Sequence, residues 1–344
     1  MATLHEAHPL RIFWVSSVLT IATAAFVAWS LGFNSLWLFF VLVILEVTFS
    51  FDNAVINSKI LARMSYFWQQ LFLTVGILFA VFIVRFILPV VIVAISSHIG
   101  FTDVVDMALN QPEKYSEILH GAAPIINAFG GTFLAMIGVS YFLDRHKEIH
   151  WLGKFEERLA KLGSYESFKT LIMLVVAMGL YYTVDEKYQA TVLIASIFGI
   201  VLHMALSLFG EYFGSRQSHS THLVGMAAFA SFIYLNVLDA SFSLDGVIGA
   251  FAITTNVVLI MAGLGAGALW VRSLTVYLVR AKTLGKYRYL EHGAHWAILA
   301  LGIIMFVKLY HIEPPEWFTG GVGLAIIVVA IISSILAQKK QTRT

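Results

Sequence analysis

The chain of 344 residues contains no cysteine, and only 12% of its residues are charged. The absence of cysteine excludes disulfides and thiolate metal sites. A soluble domain usually carries about 25% charged residues, so the low charge excludes an ordinary soluble protein. The HExxH, GxGxxG and P-loop motifs are also missing from the sequence. We therefore expect a membrane protein that is not an enzyme and has no nucleic-acid partner.

Long apolar runs fill most of the sequence. A helix needs about 20 apolar residues to cross a bilayer. Ten segments qualify, and the fifth, which is squeezed between Lys169 and Asp185, is the weakest of them. The predicted spans are 10–33, 35–58, 67–97, 124–144, 168–184, 187–211, 222–250, 254–281, 289–311 and 316–337. The predicted fold class is all-α, a polytopic membrane helix bundle of about ten spans in contact with lipid.

Lysine and arginine concentrate in every second connection, which sets the expected orientation. Both termini and the 145–167 segment are predicted to be cytoplasmic, and the acidic 98–123 insertion periplasmic. The N-terminus has no A-x-A-like cleavage site, so the first helix should be retained in the inner (plasma) membrane. The 145–167 segment is mixed-charge and amphipathic. It is expected to lie on the cytoplasmic leaflet or, alternatively, to dock a partner. Its apolar stripe comprises Trp151, Leu152, Phe155, Leu159 and Leu162.

Two apolar segments carry nearly the same acidic motif. The first places Glu46, Thr48, Ser50, Asp52 and Asn53 at the positions where the second has Asp239, Ser241, Ser243, Asp245 and Gly246. A carboxylate at membrane depth costs a few kcal/mol or more, so intramembrane acids are functional-site candidates. The alternative is that these polar residues form a network with a purely structural role. Duplication of the motif favours a paired cation site.

The two motif copies fall in the second and seventh predicted spans. An odd offset of five spans means that the copies run in opposite directions, which is typical of an inverted-topology repeat. In each copy the next span has a glycine nine residues before an arginine, Gly76 before Arg85 and Gly263 before Arg272. We predict a first membrane repeat at 1–167 and a second at 168–344, with the site near the bilayer midplane.

The motif does not fit a straight helix. At about 100° per residue, Ser50 and Asn53 share a face with Glu46, whereas Asp52 lies about 120° away from Glu46. Serine, threonine, aspartate, asparagine and glycine favour caps and turns over helix interiors. Both motif helices are therefore predicted to unwind or kink, at 48–53 and at 241–246.

The motif supplies oxygen ligands only, which suit hard divalent ions such as Mn²⁺, Ca²⁺ and Mg²⁺. The two arginines are expected to pair with the acids, the alternative being that they snorkel to the interface. The predicted metal ligands are Glu46, Asp52, Asn53, Asp239 and Asp245. The predicted supporting residues are Thr48, Ser50, Ser241, Ser243, Arg85 and Arg272.

The two motifs, together with 250–254 (AFAIT) and 289–293 (YLEHG), resemble the TerC family of integral membrane proteins, within the LysE-type exporter superfamily. The resemblance covers about residues 35–311. It implies efflux of Mn²⁺ as the transported ion, with Ca²⁺ or Mg²⁺ as alternatives, and a link to tellurite resistance. Asp239 stands where glutamate is commoner, and the insertions suggest a divergent subfamily.

Three functions compete at this point. The first is a divalent-metal exporter that works by alternating access, with proton antiport as a coupling scheme. The second is a membrane scaffold or metal-sensing component of a tellurite or stress-resistance complex with cytoplasmic protein partners. The third is an exporter of amino acids or other organic molecules, which four acids and two arginines disfavour.

Overall fold

The computed structural model describes residues 9–145, 147–163, 166–214 and 223–341. Helices account for nearly all of these ranges, and the described residues form no strand beyond a single isolated bridge between Met64 and Leu223. Several helices are long and apolar enough to cross a membrane. The predicted all-α, polytopic membrane helix bundle is therefore confirmed.

The chain divides into two compact units, and unit 1 comprises Met1–Ala123 and Phe213–Thr283. Both acidic motifs belong to unit 1. Compact units do not test the predicted repeat boundaries at 1–167 and 168–344, which stay a prediction. The helices of unit 1 are α1 (Pro9–Leu31), α2 (Ser35–Phe49), α3 (Phe51–Ala62), α4 (Tyr66–Leu78), a π-helix (Phe79–Ile87), α5 (Leu88–Ser97), α6 (Phe101–Asn110), α7 (Pro112–Gly121), α12 (Gly225–Ile253) and α13 (Val257–Arg280).

Small residues let α13 approach α2 closely. A Cβ placed on Gly263 would lie 2.5 Å from Cβ of Leu42, and one placed on Gly267 would lie 2.5 Å from Cβ of Glu46. Helix association in lipid depends on such close backbone approach, since lipid chains are as apolar as leucine. Helix α13 is thus packed directly on the helix that carries Glu46.

One end of α3 is tied to one end of α12, and we call this the Met64 end. The backbone N–H of Ser65 donates to the Leu223 carbonyl at 3.0 Å, and the N–H of Leu223 donates to the Arg63 carbonyl at 2.7 Å. Helix α3 stops just before this point and α12 starts just after it. The two helices therefore run in opposite directions from a shared end. A buried apolar cluster stabilises the Met64 end. Its members are Leu61, Met64, Phe72, Ala228, Leu235 and Val276.

Unit 2 comprises Pro124–Tyr212 and Leu284–Thr344. Its helices are α8 (Ala123–Phe142), α9 (Lys154–Leu162), α10 (Glu166–Thr183), a short 3₁₀ turn (Glu186–Tyr188), α11 (Gln189–Gly214), α14 (Thr283–Lys286), α15 (Leu290–Lys308) and α16 (Glu316–Gln341). A Cβ on Gly199 of α11 would lie 2.7 Å from the Phe129 carbonyl oxygen of α8. Glycine at this point again allows two spans to touch through their backbones.

In the described part of the chain, eight helices satisfy the length and hydropathy of a span, or nine when the bent pair α2–α3 is counted as one span. The difference from the expected ten lies at the fifth predicted span. There the apolar helix covers only Ser167–Thr183. Polar residues set this limit, because Thr183 is followed by Asp185 and Glu186. At 1.5 Å per residue, such a helix is roughly 25 Å long and shorter than a typical bilayer core.

The amphipathic segment forms helix α9, whose buried positions are Glu156 and Ala160. The apolar side chains of Leu152, Phe155 and Leu162 are about half exposed. This arrangement agrees with a helix lying at a membrane surface. Orientation of the segment toward the cytoplasm stays a prediction.

Candidate ion site

The first motif contains a break at Ser50. Helices α2 and α3 meet there at an angle of 52°. The Ser50 N–H still donates to the Glu46 carbonyl at 2.9 Å, but its hydroxyl donates to Oε1 of Glu46 at 2.7 Å. The serine hydroxyl is therefore committed to the acid and not to its own helix. The predicted break of the first motif helix is confirmed.

Glu46 forms a buried ion pair with Arg85. Nη2 of Arg85 donates to Oε1 of Glu46, and the two side chains are 3% and 2% exposed. Nη1 of Arg85 donates to the Ala80 carbonyl at 2.7 Å. Arg85 lies in the nine-residue π-helix, a conformation that is rare and often found at functional sites. The pairing neutralises an acid that would be very costly to bury alone.

The second motif repeats this arrangement. Nη2 of Arg272 donates to Oδ2 of Asp239 at 3.0 Å, and the side chains are 3% and 12% exposed. Nη1 of Arg272 donates to the Phe72 carbonyl at 2.8 Å, and the guanidinium lies 4.2 Å from the Phe72 ring centroid. The first acid of each motif thus pairs with the arginine of the following span.

The two motif copies touch one another at two points. Nδ2 of Asn53 donates to Oδ1 of Asp239 at 2.5 Å. A Cβ on Gly246 would lie 3.7 Å from Oε2 of Glu46, so the backbone of the second motif approaches the first acid. The described parts of the two motifs are therefore in direct contact.

Asp52 differs from the two paired acids. It is 5% exposed, and its Oδ1 accepts the N–H of Asn53 at 2.9 Å. Within the described part of the chain, no basic side chain pairs with it. The side chain of Asp245, its counterpart in the second motif, lies outside the described residues.

The predicted break of the second motif helix is wrong, because α12 continues without interruption from Gly225 to Ile253. Its polar side chains bond within the helix: Ser241 donates to the Val237 carbonyl at 3.0 Å, and Asn236 to the Phe232 carbonyl at 2.7 Å. Bonds of this kind often bend a helix, but α12 stays continuous here. Polar composition alone did not distinguish this case from Ser50.

The predicted supporting residues separate into three groups. The Thr48 hydroxyl donates to the Ile44 carbonyl at 2.8 Å in an exposed setting, and Ser241 bonds to its own helix, so neither hydroxyl bonds an acid. Ser50 and the two arginines do bond the acids. Ser243 is buried, and its hydroxyl has no hydrogen-bond partner among the described residues.

The described residues contain no group of three or more histidine, aspartate or glutamate side chains that could hold a metal ion. Glu46 and Asp239 already hold guanidinium groups. The free oxygens nearest to Asp52 in sequence include the side-chain amide oxygen of Asn53, which is buried and has no partner in the described structure. Among the described residues, the arrangement can therefore offer an ion one carboxylate without a basic partner, and the next residue carries an unbonded amide oxygen.

Unit 2 contains a buried acid that the sequence did not single out. Glu156 is fully buried and accepts from Lys147 Nζ at 3.2 Å, the Trp151 N–H at 3.0 Å and Trp296 Nε1 at 3.2 Å. Nε2 of His292 lies 3.5 Å from it. Burial raises the pKa of Glu156, but the Trp296 bond and the charges of Lys147 and His292 outweigh burial and hold that pKa below its usual value. Glu156 anchors α9, and its position on an amphipathic helix gave no signal of this role.

Several apolar helices, two buried acid–arginine pairs and an unpaired buried acid together define an integral membrane protein with multiple spans. Residues 51–341 match the family described as "Protein of unknown function (DUF475)", and the chain belongs to that family. It is also similar to "Uncharacterized membrane protein RP786" of Rickettsia prowazekii (strain Madrid E), with 24% identity over 135 residues. That alignment covers 39% of this chain and 44% of the relative. No solved structure matches the chain.

Proposed function

We propose that this membrane protein transports a divalent metal cation, with Mn²⁺ as the first candidate and export by alternating access as the mode. The observation that carries the proposal is Asp52. It is a buried acid with no basic partner among the described residues, and it follows two residues after the break at Ser50. An intramembrane acid of this kind is costly unless it binds something.

The charge of the site supports a divalent ion. The Glu46–Arg85 and Asp239–Arg272 pairs are each neutral overall. Asp52 remains, and Asp245 adds a second carboxylate to the sequence motif. One divalent cation would balance these two acids. Glu46 and Asp239 then serve as positioning residues, together with the arginines that hold them, instead of as direct ligands.

The donor set suits a hard cation. Carboxylate, amide and hydroxyl oxygens are available from Asp52, Asn53 and Ser243, and the chain has no cysteine to offer a softer ligand. Mn²⁺, Mg²⁺ and Ca²⁺ prefer such oxygens. The resemblance to TerC proteins, which are linked to manganese efflux, supports Mn²⁺ over the other two.

The break at Ser50 supports a moving part. Helix α3 carries Asp52 and Asn53, and it is connected to α2 at a 52° bend. Rotation about such a bend would change which side of the membrane the Asp52 carboxylate can reach, while α2 stays packed on α13. Protons can replace the metal ion on Asp52 and Asp245 after release. We therefore propose proton return as the coupling reaction.

The proposal also covers the cellular location of the protein and its functional class. We propose a bacterial inner membrane with both termini in the cytoplasm, because lysine and arginine concentrate in the connections on that side. The protein would act as a carrier and not as an enzyme. The alternative of a scaffold or metal sensor in a tellurite or stress-resistance complex predicts no metal flux at all.

Metal-resolved uptake into everted membrane vesicles tests the proposed function. Vesicles from cells that produce the protein should accumulate Mn²⁺ faster than vesicles from cells without it, and Ca²⁺ and Mg²⁺ in parallel assays define selectivity. An imposed proton gradient, acidic inside, should accelerate the uptake at clamped voltage. Equal uptake of all three ions with and without the protein would leave the scaffold alternative.

A further inference from the structure

Three buried asparagines on α3 and α12 have side-chain oxygens that bond no other described residue. Asn53, Asn57 and Asn236 are 1%, 1% and 3% exposed. The Oδ1 atom of each is buried and has no hydrogen-bond partner among the described residues. Buried polar atoms are nearly always bonded, and each exception needs an explanation. Three such exceptions of the same chemical kind on two neighbouring helices suggest a shared role.

The direction of two of these oxygens is fixed by chemistry. Nδ2 of Asn53 donates to Oδ1 of Asp239 at 2.5 Å, and Nδ2 of Asn236 donates to the Phe232 carbonyl at 2.7 Å. An ionised carboxylate and a carbonyl only accept hydrogen bonds, so the amide nitrogen must face them. The amide oxygen must then point away from these acceptors. Exchanging oxygen and nitrogen would break both bonds.

Helix geometry places the three oxygens at neighbouring levels. Asn53 contacts Asp239, and α3 and α12 run in opposite directions from the Met64 end. Asn57 is one turn, or about 6 Å, nearer to that end than Asn53. Asn236 is about 4.5 Å nearer to it than Asp239. Asn57 and Asn236 therefore lie at similar levels, on the side of the Asn53–Asp239 bond that leads to the Met64 end.

We propose that Asn53, Asn57 and Asn236 form a second cation site, through which a hard divalent cation passes between Asp52 and the Met64 end. This inference rests on the proposed function and deepens it. Amide oxygens are hard, neutral ligands that replace water around an ion. Because they carry no charge, they hold the ion weakly enough for it to leave, which conduction through successive sites requires.

Mn²⁺ flux through the purified protein in proteoliposomes tests the site. Asn57→Leu removes the oxygen at nearly constant volume, whereas Asn57→Asp keeps an oxygen ligand at the same position. Asn127→Leu is the matched control, because Asn127 is equally buried with an unpartnered Oδ1 but belongs to unit 2. The concentration of half-maximal flux should rise about tenfold in Asn57→Leu, which corresponds to about 1.4 kcal/mol. Asn57→Asp should stay within about threefold of the wild type, as should Asn127→Leu.

Asn236→Leu should raise the half-maximal concentration in the same way as Asn57→Leu. Should Asn57→Leu fail to yield monodisperse protein, Asn57→Ala removes the same oxygen and is judged by the same criterion. Unchanged half-maximal concentrations in the leucine variants, with wild-type flux present, would overturn the second site and assign the oxygens to buried water. Absence of flux in the wild type itself would instead refute the proposed function.

Discussion

The side-chain amide of Asn53 donates a hydrogen bond of 2.5 Å to Oδ1 of Asp239, 186 residues further along the chain. The second oxygen of Asp239 accepts from Arg272 at 3.0 Å. One oxygen of this acid is therefore satisfied by the first motif, and the other by the arginine of the helix that follows the second motif. The two copies depend on each other for the burial of one charge.

Removal of the Asn53 side-chain amide should lower the stability of unit 1. In Asn53→Ala, the largely buried Asp239 loses a charge-assisted hydrogen bond. We expect the free energy of unfolding to fall by about 1.5–3 kcal/mol. Thermal unfolding in detergent measures it. Asn110→Ala is the control, since Asn110 makes the same type of bond to Asp106 at 2.6 Å in an exposed position. Equal melting temperatures for the two variants would contradict the role assigned to Asn53.

Gly76 should tolerate no side chain. A Cβ at this position would lie 2.6 Å from Nη1 of Arg272, which the Asp239 pair and the Phe72 carbonyl hold in place. Gly76→Ala must displace the guanidinium, and we expect both transport and thermal stability to fall. Gly179→Ala is the control, because a Cβ there meets nothing within 4 Å. It should be neutral or slightly stabilising, as alanine favours helix by about 1 kcal/mol over glycine. A Gly76→Ala variant as stable and active as Gly179→Ala would refute this packing.

Glu156 should anchor α9 in a charge-dependent way. Glu156→Gln removes the carboxylate that holds Lys147, Trp151 and Trp296, so amide hydrogen exchange across 147–163 should accelerate at neutral pH. Glu157→Gln is the control, since Glu157 is exposed and pairs with Lys161 on the surface. If both variants exchange at the wild-type rate, Glu156 is no anchor.

The same anchor gives a pH dependence. The pKa of Glu156 is lower in the folded protein than its usual value. Its contribution to stability is therefore present above the usual glutamate pKa and is lost as the pH falls through the folded pKa. Exchange across 147–163 should accelerate in acid in the wild type and lose this added acid sensitivity in Glu156→Gln. Identical pH profiles for the two proteins would contradict the assignment.

Single cysteines test the orientation, because the natural chain has none. Glu113→Cys on α7 should react with an impermeant maleimide from the outside of intact cells. Lys154→Cys on α9 should react only after the membrane is permeabilised. Both positions are exposed in the structure, so access to the reagent depends on the membrane side alone. Labelling of Glu113→Cys only from the cytoplasmic side would overturn the predicted topology.

Sequence reasoning succeeded where a residue type allows few alternatives. An arginine inside an apolar span needs an acid, and the matched spacing of Gly76–Arg85 and Gly263–Arg272 indicated which motif each arginine follows. It failed at Ser241, where a hydroxyl has two good partners. A serine hydroxyl can bond an acid at a helix break, as Ser50 does, or bond the carbonyl four residues back within an unbroken helix, as Ser241 does. Only the surrounding packing decides between them.

The sequence could not separate the acids by role. Glu46, Asp52 and Asp239 all appear in the sequence as acids within apolar segments. In the described structure, Glu46 and Asp239 pair with guanidinium groups and Asp52 does not. The sequence also did not single out Asn236, because its place in the proposed second site depends on which helix faces α3. The direction of its amide comes from a hydrogen bond to Phe232 within its own helix.

The central claim is that Asp52 holds the transported ion, and Mn²⁺ flux into proteoliposomes made with purified protein tests it most directly. The wild type and Asp103→Asn, which changes an exposed acid outside the spans, should show the same saturable flux. The Mn²⁺ flux of Asp52→Asn should be at least about 100-fold lower while the protein remains folded, because each 1.4 kcal/mol of lost ion-binding energy corresponds to about tenfold. Wild-type flux in a folded Asp52→Asn protein would contradict the account.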